Sequence, residues 1–146
     1  MSMSKFTHLL PALIAASFVF GASAQAAGDA AADRQALMKQ NGAATRVLAG
    51  MVKGQDPFDA VAAQLAFRTL NSAALGFGYM FPEGSQTGAE TEAAATIWSD
   101  RAGFDAAIAK YVADTSATIT DLDSLKAAFG AAASNCGSCH KAYRTK

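Results

Sequence analysis

Apolar and small residues recur at helical spacing along most of the chain. Over residues 33–53, Leu37, Ala44, Leu48 and Met51 fall on one face, and Met38 and Val52 widen the stripe. Gly50 and Gly54 lie where that helix should fray. Asp56, Pro57 and Asp59 then form a start signal: Asp56 as N-cap, Pro57 at the first helical position, Asp59 in the first turn. The second helix is predicted to run to Leu75, with Phe58, Val61, Leu65 and Ser72 on one face. Residues 76–90 are rich in Gly and Pro and should break the pattern. They also carry Phe77, Tyr79, Met80 and Phe81, and a connection that apolar is expected to pack against the body. A third helix is predicted over 96–115, with Ile97, Phe104, Ile108, Tyr111 and Val112 inward. Asp121 caps a fourth, whose stripe is Leu122, Leu125, Phe129, Ala132, Cys136 and Tyr143. Four such helices, joined by two short connections and one long one, predict an all-α fold, an antiparallel four-helix bundle.

Composition supports this picture. The chain has 146 residues, enough for one domain, and 51% of them are hydrophobic. Many are alanine, which favours helix while burying little area. The formal net charge is zero and no basic run occurs, so no nucleic-acid partner is expected.

The first residues read as a leader. Lys5 precedes an apolar stretch over 9–20, and Ala24-Gln25-Ala26 is a small-residue cleavage site. That stretch is shorter than the roughly 20 apolar residues of a membrane span. The expected organisation is therefore a cleaved signal peptide over 1–26 and a periplasmic domain over 27–146, without stable membrane insertion. Cleavage removes His8 and Lys5. His140 is then the one histidine left, and Met38, Met51 and Met80 are the methionines.

Cys136-Gly137-Ser138-Cys139-His140 has the Cys-x-x-Cys-His spacing of covalent haem c attachment. Residues three apart on a helix share a face, so both thiols can reach the vinyl groups on one porphyrin edge. His140 follows directly and can turn its imidazole to the iron, while Gly137 and Ser138 let the ring approach the backbone. A redox dithiol would instead be expected in a βαβ context. Zinc would need a fourth ligand that the exported chain does not supply. A disulfide between cysteines three apart in a helix would be strained.

Other short pieces accompany the motif: Arg34-Gln35-x-x-Met38, Phe81-Pro82, Ile97-Trp98, the run 125–130 (LKAAFG) and Tyr143-Arg144. In this order, around a C-terminal attachment motif, the chain resembles the cytochrome c′ family, the class II cytochromes c. The resemblance spans essentially the whole exported domain. It implies a four-helix bundle with one covalent haem on the last helix. It further implies Cys136 and Cys139 as thioether anchors, His140 as proximal iron ligand, and Arg34, Gln35 and Arg144 as haem contacts. Trp98 is expected in the core.

Members of that family differ at the sixth iron position, where Met38 stands. Met38 bound to iron would give a low-spin, single-electron carrier that is not an enzyme. Met38 as an unbound distal neighbour would leave a five-coordinate protein that takes up NO or CO. The run 37–42 (LMKQNG) looks more like the low-spin group. Met51 is expected to pack elsewhere, and Met80 is a less favoured alternative ligand. Redox partner proteins are implied but not identified, and monomer and homodimer both fit.

Overall fold

The computed structural model describes residues 26–87 and 90–145. The leader therefore lies outside the described residues but for Ala26. Five helices follow in order: α1 (Ala26–Val52), α2 (Ala60–Phe77), α3 (Thr96–Ser99), α4 (Arg101–Thr115) and α5 (Leu122–Tyr143). A 3-10 turn, Gly78–Met80, extends α2. The four long helices form the predicted bundle, α1 packing on α2, α2 on α4, α4 on α5, and α5 back on α1. Among the described residues no helix is long and apolar enough to cross a membrane.

Two separate cores hold the bundle together. At one end Leu48, Met51, Phe67, Leu70, Ile119 and Leu125 form a mainly aliphatic cluster from the C-terminal half of α1, the middle of α2, the start of α5 and the segment just before it. At the other end Phe81, Ile97 and Phe104 are buried, with Phe77, Met80, Trp98, Ile108 and Tyr143 packed round them. The rings meet edge-on, Phe81 to Phe104 at 4.9 Å and Phe104 to Tyr143 at 5.2 Å between centroids, a favoured aromatic geometry.

Several helix boundaries differ from expectation, each for a local reason. α1 begins at Ala26 rather than near residue 33, because the alanine-rich run before it propagates helix readily. α2 begins at Ala60, and its N-cap is Asp59, whose carboxylate accepts from the Ala62 N–H at 2.9 Å. Asp56 cannot serve as that cap because it is spent on ending α1. The N–H groups of Gln55 and Asp56 both donate to the Gly50 carbonyl, at 2.9 and 3.2 Å. Gly54, at φ +68°, allows that reversal.

The face assigned to α2 is also corrected. Val61 and Leu65 point outward, 79% and 65% exposed, and Ser72 is exposed too. The buried face carries Ala63, Ala66, Phe67, Leu70, Ala73 and Ala74. α2 is apolar nearly all round, and the face with Phe67 and Leu70, backed by alanines, removes more area from water at close approach. Phe58 does pack against the core.

Gly76 lies within α2, which continues to Phe77 because that ring is held in the aromatic cluster. The loop after it packs as expected through Phe77, Met80 and Phe81, but Tyr79 is 88% exposed. The predicted third helix is two, broken at Asp100 (φ −123°, ψ 57°). There the Asp100 carboxylate caps α4 by accepting from the Gly103 N–H at 3.1 Å. α5 starts where predicted. Asp121 accepts from the Ser124 N–H at 2.7 Å and Ser124 Oγ accepts from the Asp121 N–H at 3.0 Å, a reciprocal capping box.

Candidate haem site

Between the two cores the helices stand apart around a cavity of about 620 Å³, within the usual size of cofactor sites. It brings together every residue singled out by sequence: Arg34, Gln35 and Met38 from α1, with Cys136, Cys139, His140 and Arg144 from α5 and the residue after it. Phe77, Phe81, Ile97, Phe104 and Ile108 supply apolar wall.

Cys136 and Cys139 are free, half-buried thiols on the cavity side of α5. Burial pushes both thiols above their ordinary pKa, and for Cys139 the neighbouring Cys136 adds to the rise. A redox dithiol needs the opposite, a lowered pKa that populates thiolate. Among the described residues no cluster of three His, Cys, Asp or Glu side chains could hold a metal ion, so zinc lacks a ligand set.

His140 sits in the last turn of α5, exposed on one side and lining the cavity on the other. Partial burial, and then the charge of Arg144, lower its pKa, while Glu92 opposes them. The neutral imidazole, which is the metal-binding form, is thus favoured.

Arg34 is 5% exposed. Its Nη1 donates to the Met80 carbonyl (2.8 Å) and Ser85 Oγ (3.2 Å), and its Nη2 to the Ser85 carbonyl (3.1 Å) and Thr91 Oγ1 (3.2 Å). The guanidinium also stacks on Phe81, 4.8 Å from the ring centroid. All these partners are neutral, and burial lowers the Arg34 pKa. An anionic group in the cavity would compensate that buried charge. Gln35, exposed, donates from Nε2 to the Glu90 carbonyl at 3.0 Å. Arg144 donates from Nε to Glu92 Oε2 at 2.5 Å. The Thr145 N–H donates to the Glu92 carbonyl at 2.8 Å, the Ala94 N–H to the Tyr143 carbonyl at 3.0 Å, and Thr96 Oγ1 to the Ala142 carbonyl at 2.9 Å. The loop is thereby strapped to the end of α5 beside the cavity.

The three methionines among the described residues separate cleanly. Met51 is buried in the aliphatic core, Met80 packs with the aromatic cluster, and Met38 lines the cavity. Trp98 packs edge-on to Phe81 and donates from Nε1 to the Pro82 carbonyl at 3.2 Å, a core role as expected. Sequence reasoning passed over Asn41, Thr91, Glu92, Lys110 and Asn135, which also line the cavity. Asn41 was recoverable, since it lies three residues beyond Met38 on the same helix. Thr91 and Glu92 lie in a loop with no periodic signal.

The thiols, a neutral imidazole, a thioether and an unpaired buried cation around an apolar cavity fit a porphyrin with acidic side groups. An all-α bundle with Cys-x-x-Cys-His facing such a cavity defines the class: a c-type haem protein. The chain belongs to the cytochrome c′ family, since the family model described as Cytochrome C' matches residues 29–144. A cytochrome c′ of Rhodopseudomonas palustris is 40% identical over 139 residues, covering 92% of this chain and 95% of that protein. A cytochrome c-556 of Agrobacterium fabrum is 36% identical over 140 residues, covering 91% and 94%. The solved structure of a Rhodopseudomonas palustris cytochrome c′ superposes with a TM-score of 0.77 at 40% identity, over 81% of this chain and 97% of that one. The cofactor of the family, and of this chain, is covalently bound haem c.

Proposed function

We propose that the protein is a periplasmic single-electron carrier, exported after removal of residues 1–26, and not an enzyme. In this reading Cys136 and Cys139 form the thioethers, His140 is the proximal iron ligand and Met38 the distal one. Arg34, Gln35 and Arg144 contact the haem. The observation that carries it is the placement of Met38, the methionine that shares the cavity with Cys136, Cys139 and His140. The haem, when bound, supplies one-electron exchange between Fe(III) and Fe(II).

The rest is done by the chain. His140 and Met38 together favour the reduced state, as imidazole–thioether ligation does. Phe77, Phe81, Ile97 and Phe104 exclude water, and the two cores keep the cavity walls in place so that little need move when charge changes. The half-burial of both thiols on the cavity side of α5, which raises their pKa, supports the anchoring role over a free dithiol redox or sensor role. Redox partner proteins follow from the carrier role.

The second reading is a five-coordinate protein that binds NO or CO. It is favoured by Met38 being only half-buried on a flexible, unbranched side chain, which can stand aside. Replacing Met38 by Ala separates the two. For the carrier, Met38→Ala converts a low-spin spectrum to high-spin and opens the reduced protein to CO. A spectrum identical to that of the wild type would remove Met38 from the iron.

A further inference from the structure

The cavity is unevenly charged. Among the described residues that line it, Arg34, Lys110 and Arg144 are basic, and Glu92 carries the one carboxylate. Lys110 pairs with Asp114, one turn further along α4, and Arg34 is held by neutral groups. Glu92 is committed to Arg144. Its Oε2 accepts from Arg144 Nε at 2.5 Å and pairs with Nη2 as well.

The place of Glu92 is fixed separately by the backbone. Its carbonyl accepts from the Thr145 N–H at 2.8 Å and from Thr145 Oγ1 at 3.2 Å, and the next residue, Ala93, bridges to the Arg144 backbone. None of these bonds uses the Arg144 side chain, so Glu92 stays at the end of α5 when that side chain is changed. Arg144 is tied in turn to His140, whose carbonyl accepts from the Arg144 N–H at 3.1 Å. Beyond the effect of burial, the Arg144 and Glu92 charges act on the His140 imidazole in opposite senses. A half-exposed pair of this kind contributes little to folding. Beside a seated haem the surroundings are less polar, and each charge is felt more strongly at the iron.

We propose that Glu92 is a positioning residue for the haem potential: it holds the Arg144 guanidinium beside His140 and offsets its charge there. Arg144 alone would favour Fe(II), the less positive state, and Glu92 restrains that preference. The inference rests on the reading of His140 as proximal ligand and is independent of what occupies the distal side. One electron passes between the iron and a redox partner; no bond forms or breaks and no proton moves.

The test is a mediated potentiometric titration, with dithionite as reductant, of the matured holoprotein and of Glu92→Gln, Glu92→Asp, Arg144→Gln and the double variant Glu92→Gln/Arg144→Gln. At the wild-type midpoint poise, the Fe(II)/Fe(III) ratio should rise about threefold in Glu92→Gln. That corresponds to a potential roughly 28 mV higher, at about 59 mV per tenfold for one electron. Arg144→Gln should lower the ratio by a similar factor. The double variant and Glu92→Asp, which keeps the charge, should both return close to the wild type. Either single variant loosens the same strap, so a purely structural role would move both potentials the same way. A wild-type potential in Glu92→Gln, or shifts of one sign in the two single variants, would overturn the role of Glu92 and leave His140 ligation standing. A haem spectrum left unchanged by His140→Ala would instead remove His140 from the iron, and this inference with it.

Discussion

Arg34 is tied to Met80, Ser85 and Thr91 by four hydrogen bonds and stacks on Phe81, so one side chain of α1 holds the long loop against the bundle. Replacing it by Met keeps much of its length and removes the donors. Bonds to a charged group are worth about 1.5–3 kcal/mol each but are not additive, so Arg34→Met should lose about 2–4 kcal/mol in denaturant unfolding. Faster proteolysis within residues 81–91 should accompany the loss. An unchanged unfolding midpoint would mean that the loop is held by its aromatic contacts alone. At this scale the sequence was informative wherever chemistry repeats at helical spacing. Cys136, Cys139, His140, Arg34 and Met38 were all readable. The neutral partners that hold Arg34 were not, because they lie in an aperiodic loop far along the chain.

The helices differ in how plainly their ends were written. α5 was legible because the Asp121–Ser124 box, the apolar stripe and the attachment motif all agree. α2 was not, since it carries two competing apolar faces and its cap signal lay three acidic or proline positions deep. Hydrogen bonds from the Ser124 backbone, first, and then from the Ser124 and Thr120 side chains hold the Asp121 carboxyl below its ordinary pKa. Hydrogen bonds from Lys110, first, and Asn135 do the same for Asp114 beside the cavity. A carboxyl depressed in the folded state contributes stability that is fully present above its unfolded pKa of about 3.9 and is lost as pH falls through the lower folded value. Stability should therefore decline below about pH 4. Asp121→Ala should lower the thermal midpoint at neutral pH and make the acid decline shallower. An acid limb unchanged by Asp121→Ala would assign the decline to other carboxyls.

For the whole molecule, the decisive feature is that the bundle has two cores rather than one. The aliphatic cluster closes one end and the aromatic cluster the other, and the cavity between them receives the motif of α5 and the methionine of α1. Helical periodicity announced four helices and an inward set. It could not announce the gap, because a residue facing a cofactor cavity and a residue facing a core have the same spacing. Ile108 and Tyr111 were predicted inward, and they line the cavity. The family defined by residues 29–144 explains why a bundle would keep such a gap: it is shaped for haem c.

The central claim is that Met38 closes the distal side of that haem. It is tested most directly by the optical spectrum of the reduced, periplasmically matured protein before and after addition of CO. The carrier account predicts low-spin bands that CO leaves unchanged. A high-spin reduced spectrum that shifts at once on CO would contradict it and place the protein among the gas-binding members of its family.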